Sequence, residues 1–148
     1  MTEQQPVTIV MVEDDEGHAR LIEKNIRRAG ICNEIRHFAD GTSALGYLFD
    51  EANSSTSGRA ALVLLDLNLP DMSGTDILAK IKNDAGLKRT PVVVLTTTDD
   101  KLEIQRCYDL GCNVYITKPV NYENFADAIK QLGLFLSVIQ VPEPGEND

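Results

Sequence analysis

The sequence predicts an α/β fold in which five parallel strands alternate with five helices. Three observations predict it. Short apolar runs rich in β-branched residues recur at 7–12 (VTIVMV), 61–65 (ALVLL), 92–95 (VVVL, after Pro91) and 114–116 (VYI). Runs apolar at every position suit strands covered on both faces, as in a parallel sheet. Between them, apolar residues recur three or four apart, the period of a helix lying on a sheet. Finally, three of the runs stop at chemistry: Glu13-Asp14-Asp15, Asp66 and Lys118-Pro119.

Each element follows in order. The run 7–12 forms the first strand. Ala19, Ile22, Ile26 and Ala29 then mark a helix that Gly30 stops. Residues 33–38 (NEIRHF) alternate in character, as an edge strand does. Asp40-Gly41 opens a second helix through Ala44, Leu45 and Leu48. The run 61–65 is the third strand, ending at Asp66. Ile77, Leu78 and Ile81 mark the third helix, and Thr96 closes the fourth strand. Leu102, Ile104 and Leu110 mark a weaker fourth helix. After the strand 114–116, residues Phe125, Ile129, Leu132, Leu136 and Ile139 mark a long fifth helix.

The order is βαβαβαβαβα, with right-handed crossovers and helices on both faces. Five strands so connected take the doubly wound, flavodoxin-like arrangement 2-1-3-4-5, whose switch point lies between strands 1 and 3. Those two strands carry Glu13-Asp14 and Asp66 at their carboxyl ends, where ligands bind in such folds. A chain of 148 residues suits one domain, 1–148. Its core is expected over 7–132, an extension of helix 5 over 133–141, and a disordered Pro/Gly/Glu tail over 142–148. Polar residues 53–59 (NSSTSGR) and the segment 86–90 read as loops, and no internal repeat or linker is present.

Composition narrows the function. Hydrophobic residues make up 43%, enough for a packed interior. The net charge of -9, from 14 basic and 23 acidic residues, disfavours nucleic acid and anionic membrane as partners. No signal segment begins the chain and no apolar stretch approaches the roughly 20 residues needed to span a bilayer. Cys32, Cys107 and Cys112 lack metal-ligand spacing and are expected as buried or half-buried thiols, which fits a reduced, cytoplasmic compartment.

The strand ends define a candidate site. Glu13, Asp14 and Asp66 brought together would repel one another unless a divalent cation neutralised them. Oxygen-only ligands with open positions favour Mg²⁺ or Mn²⁺ over zinc. Asp15 and Glu16 need no such explanation, since acids beginning a helix are favoured by its dipole. Lys118 is the counter-charge for a phosphoryl group, and the Thr96 hydroxyl is placed to donate to one. His18 and His37 are expected at surface or edge positions, without a part in metal binding or phosphorelay.

Together these residues resemble the response-regulator receiver domain of two-component signalling. The matching pieces are Val12-Glu13-Asp14-Asp15, Ala39-Asp40-Gly41 with Ala44-Leu45, Asp66 with Leu69-Pro70-Asp71-Met72-Ser73-Gly74, Pro91 to Thr96, and Tyr115-Ile116-Thr117-Lys118-Pro119. The resemblance covers about residues 7 to 132, and the set in this order is specific. It implies that Asp66 is phosphorylated by a sensor histidine kinase. It implies that Asp14, Asp66 and the Asn68 backbone carbonyl hold Mg²⁺, with Glu13 assisting through water. Thr96 and Lys118 would contact the phosphoryl group, and Tyr115 would turn inward as Thr96 is drawn to it. Glu13 stands where Asp is commoner, and Thr97 is bulkier than the usual Ala or Ser.

The implied protein is a stand-alone regulator and no classical enzyme, with intrinsic phosphotransfer and autodephosphorylation. Its output would be a shift at the helix 4, strand 5, helix 5 face. The last helix carries more apolar residues than one face requires, so a homodimer through Leu132, Phe135, Leu136 and Ile139 is expected. The polar insertion after helix 2 and the ending 135–142 (FLSVIQVP) are similar to regulators paired with phytochrome-type kinases. Rival readings remain. A haloacid dehalogenase-like phosphatase would want Asp-x-Asp on its first strand, which Asp14-Asp15-Glu16 is not. A flavodoxin-like electron carrier would want a phosphate loop where this chain places acids. A receiver-like module that is never phosphorylated would have no use for the retained Asp66, Thr96 and Lys118.

Overall fold

The computed structural model describes residues 8–50, 60–118, 121–125 and 127. Strands β1 (Thr8–Val12), β2 (Ile35–Phe38), β3 (Ala60–Leu65), β4 (Val92–Thr96) and β5 (Val114–Thr117) form one sheet in the order β2-β1-β3-β4-β5. All four pairings are parallel. Between the strands lie α1 (Glu16–Arg28), α2 (Gly41–Leu48), α3 (Gly74–Lys82) and α4 (Lys101–Leu110), and residues 122–125 are helical.

Why the central runs are apolar at every position is visible in their packing. Ile9, Met11, Leu62, Leu64, Val93 and Leu95 point to one face, where Ala19, Ile22 and Ile26 of α1 and Phe125 cover them. Val10, Val12, Val63, Leu65, Val92 and Val94 point to the other, against Ala44, Leu48, Ile77, Leu78, Ile81 and Cys107. Each fully buried Val, Leu or Ile contributes about 1.5–3 kcal/mol relative to remaining exposed. The edge strand β2 does not alternate strictly: its two middle residues, Arg36 and His37, are both exposed, and its end residues Ile35 and Phe38 are half-buried.

Caps set the helix ends. The Asp15, Asp40, Ser73 and Asp100 side chains each accept a backbone N–H in the first turn of α1, α2, α3 and α4. Gly30 follows α1 at φ 88°, a left-handed conformation that makes it the expected stop. Arg27 Nη1 donates to the carbonyls of Ile31 (2.9 Å) and Asn33 (2.8 Å), tying the end of α1 to the approach of β2.

Three expectations are corrected. The second strand starts at Ile35, not Asn33, whose carbonyl is taken by Arg27. Leu102 does not face the core: it follows the Asp100 cap at 80% exposure, and Cys107 is the buried position of α4. Cys32 is exposed in the turn after α1, whereas Cys107 and Cys112 are buried. Residues 53–59, Leu132, Phe135, Leu136 and Ile139, and the tail 142–148 lie outside the described residues. Among the described residues no helix is long and apolar enough to cross a membrane.

Candidate functional site

Four strand ends build the site. Glu13 and Asp14 follow β1, Asp66 follows β3, Thr96 ends β4 and Lys118 follows β5. Backbone bonds carry the sheet one residue further at each place and fix these positions. Glu13 N–H donates to Phe38 O (2.9 Å), Asp66 N–H to Val12 O (3.0 Å), and Lys118 N–H to Thr96 O (2.7 Å).

One carboxylate oxygen from each of Glu13, Asp14 and Asp66 lies within 4.8 Å of the other two. Glu13 and Asp66 are buried and Asp14 is open to solvent. Lys118 reaches in from β5 with a side chain only 5% exposed, donating to Glu13 Oε1 (2.5 Å) and Asp66 Oδ2 (3.2 Å). Burial pushes the Glu13 pKa above its ordinary 4.5, and the neighbouring Asp66 charge adds to this. The Lys118 hydrogen bond and the Asp15 amide oppose that rise.

Three carboxylates therefore meet one ammonium, which leaves a surplus of negative charge in a half-enclosed place. That surplus, the all-oxygen donor set and the open Asp14 side fit a hard divalent cation.

Asn68 and Thr96 complete the rim. Asn68 N–H donates to Asp66 Oδ1 (3.1 Å), and its side-chain Nδ2 donates to Thr96 Oγ1 (3.3 Å). Thr96 is fully buried, so its hydroxyl is held within reach of the loop that carries Asp66. Tyr115 is half-buried on β5. Its hydroxyl donates to Thr98 O (2.7 Å), and burial pushes its pKa up to about 12.

The 66–74 loop is pinned at both ends. A Cβ on Gly74 would overlap the Asp66 carbonyl oxygen and lie 2.6 Å from Leu67 Cα, so only glycine lets α3 start this close to the acid. Asp71 accepts from the amides of Gly41 and Thr42 (2.8 Å each) and from the Thr42 hydroxyl (2.5 Å), which holds its pKa at about 2. The loop is thereby moored to the start of α2.

Glu13, Asp14, Asp66, Asn68, Thr96 and Lys118 thus share one rim, as the sequence predicts. Both histidines are surface residues as expected, yet both touch it. His18 Nδ1 lies 3.0 Å from Lys118 Nζ, and His37 Nε2 lies 2.6 Å from the Glu13 carbonyl oxygen. Asp71 was also missed. His18 carried a usable signal, because the first turn of α1 necessarily borders the end of β1. Asp71 carried none, since its partners lie about thirty residues away.

Known proteins resemble this chain in sequence and fold. The family described as response regulator receiver domain matches residues 9–130. Response regulator Rcp1 of Synechocystis sp. is 35% identical over 138 residues, covering 93% of this chain and 94% of that one. The Mn(2+)-bound form of Rcp1 superposes with a TM-score of 0.74 at 34% identity, over 93% of this chain and 100% of that one. A response regulator receiver domain from Rhodospirillum rubrum is 72% identical, with a TM-score of 0.73 over 92% and 97% of the two chains. The bacteriophytochrome response regulator RtBRR is 35% identical, with a TM-score of 0.76 over 93% and 84%. Sheet order, the acidic strand ends and these likenesses agree: the chain belongs to the response regulator receiver domain family.

Proposed function

We propose that the chain accepts a phosphoryl group onto Asp66 from a phosphohistidine of a sensor histidine kinase. The observation that carries this reading is the single rim on which Asp66 faces Lys118 and two further carboxylates. An Asp66 carboxylate oxygen forms the new P–O bond as the P–N bond breaks, its electron pair passing to the leaving imidazole. Mg²⁺ held by Asp14, Asp66 and the Asn68 carbonyl, with Glu13 assisting through water, would offset negative charge on the transferring group.

The chain's own residues position and switch. Lys118 moves its Asp66 bond to a phosphoryl oxygen and balances one of the added charges. The Thr96 hydroxyl donates to a second oxygen, drawing the end of β4 inward, and Tyr115 follows by giving up its bond to Thr98. The resulting shift of the α4, β5 and fifth-helix face is the output. Water then hydrolyses the acyl phosphate, with access tuned by Asn68 and Thr98. This makes the chain a phosphoacceptor with self-limiting chemistry, not a classical enzyme.

The finer reading adds a phytochrome-type kinase as donor, supported by likeness to RtBRR. It adds a homodimer through Leu132, Phe135, Leu136 and Ile139, supported by the excess of apolar residues there. A single domain over 1–148 in the cytoplasm suits both. Phosphoryl uptake from acetyl phosphate, read by intact mass with and without Mg²⁺, tests the central step; no uptake would reject it.

A further inference from the structure

An ammonium carries three N–H donors, and three acceptors converge on Lys118 Nζ. They are Glu13 Oε1 at 2.5 Å, His18 Nδ1 at 3.0 Å and Asp66 Oδ2 at 3.2 Å. Two are the buried carboxylates already described. The third comes from the first turn of α1, 100 positions earlier in the chain. It is the outermost of the three, with its side chain 45% exposed against 2% for Glu13 and 7% for Asp66. Its other neighbours, Glu13 Oε2 at 3.8 Å and Asp15 Oδ1 at 4.0 Å, lie beyond hydrogen-bond distance.

We propose that His18 is a positioning residue for phosphoryl chemistry at Asp66, acting through Lys118. This rests on the phosphoacceptor reading and deepens it. Lysine is a point charge on a flexible stem, so its direction is set by the acceptors around it. Glu13 and His18 together fix two of the three N–H groups. The third is left to Asp66, and it is the one that transfers to an incoming phosphoryl oxygen. An ammonium has no lone pair, so the ring nitrogen accepts in this contact and holds the ammonium towards the mouth of the site without adding negative charge near the arriving anion. Without it the ammonium rests on the carboxylates alone and turns away from the side where the phosphoryl group enters.

The test is the rate of phosphoryl uptake from acetyl phosphate with saturating Mg²⁺, followed as an intact-mass time course. The chain has no Trp, so tryptophan fluorescence cannot serve as the readout. His18→Ala is expected to slow uptake about tenfold, the lower end for losing a group that orients a site residue. Its Mg²⁺ affinity stays that of the parent, and the phosphorylated fraction at steady state falls only as far as the slower uptake lets hydrolysis compete. His18→Asn, whose amide oxygen is again a neutral acceptor, recovers most of the rate. In a Lys118→Met background His18→Ala adds nothing further, because the two residues act as one unit.

A parent-like rate for His18→Ala, no recovery with Asn, or an undiminished loss in the Lys118→Met background would each overturn the proposal. Absence of uptake by the unmodified chain would instead reject the phosphoacceptor reading, and this proposal with it.

Discussion

Glu13 Oε1 lies 2.5 Å from Lys118 Nζ across 105 positions of sequence, with side chains 2% and 5% exposed. Placing two charges out of water costs much of what their attraction returns. Desolvation wins for Glu13, whose pKa lies above its ordinary 4.5. Folded Glu13 therefore holds its proton more tightly than the unfolded chain does. Its contribution to stability is full below 4.5 and is lost as pH rises through the raised folded value.

Glu13→Gln keeps an acceptor for Lys118 and removes the buried charge. Without Mg²⁺ it should melt higher than the parent at pH 7, and the difference should shrink towards pH 4.5. Calorimetry across that range checks this, and Mg²⁺ titration should show weaker binding. A variant less stable than the parent at pH 7 would contradict the account.

Gly74→Ala forces a methyl group against the Asp66 carbonyl and Leu67 Cα, backbone that cannot swing aside. A destabilisation of about 1–3 kcal/mol is expected. Urea unfolding should show a lower midpoint at unchanged slope. Mg²⁺ affinity should fall as well, because the same loop carries Asp66 and Asn68. An unshifted midpoint would mean that the close approach is not needed.

Thiol reactivity should divide the three cysteines. Cys107 and Cys112 are buried, with their pKa values pushed up by burial to about 11 and about 12, while Cys32 is exposed. At pH 8 the buried pair stays protonated and shielded. An aromatic disulfide reagent should modify Cys32 alone in the native chain and all three in denaturant. Modification of Cys107 or Cys112 at the rate of Cys32 would show that the face under α4 opens.

Truncation after Leu132 removes Phe135, Leu136 and Ile139. If these residues make the dimer, light scattering should find the full chain dimeric and the truncated chain monomeric. An unchanged dimer would place the interface elsewhere.

Much of this was legible in the sequence, for identifiable reasons. β1, β3 and β4 are buried on both faces, so their residues had to be apolar throughout, and the runs stood out. Asp66, Glu13 and Lys118 were legible because each sits where an apolar run stops, and parallel strands end at one edge of the sheet. Leu102 misleads because an apolar residue at helical spacing suggests burial, whereas at the start of α4 it faces solvent at 80% exposure. His18 lies at the surface as expected, and what the sequence does not show is its contact with Lys118. Its place beside the end of β1 is readable from the first turn of α1, but the partner Lys118 lies 100 positions on and arrives with β5. Asp71 was hidden for the same reason: a surface acid in a turn gives no sign that it moors another helix.

The central claim is that Asp66 is where a phosphoryl group is carried. Intact mass after acetyl phosphate and Mg²⁺, run on the parent chain and on Asp66→Asn side by side, tests it most directly. The parent should gain one phosphoryl group, lose the gain when Mg²⁺ is chelated beforehand, and show nothing comparable in the variant. Equal labelling of the variant would move the chemistry off this carboxylate and contradict the account.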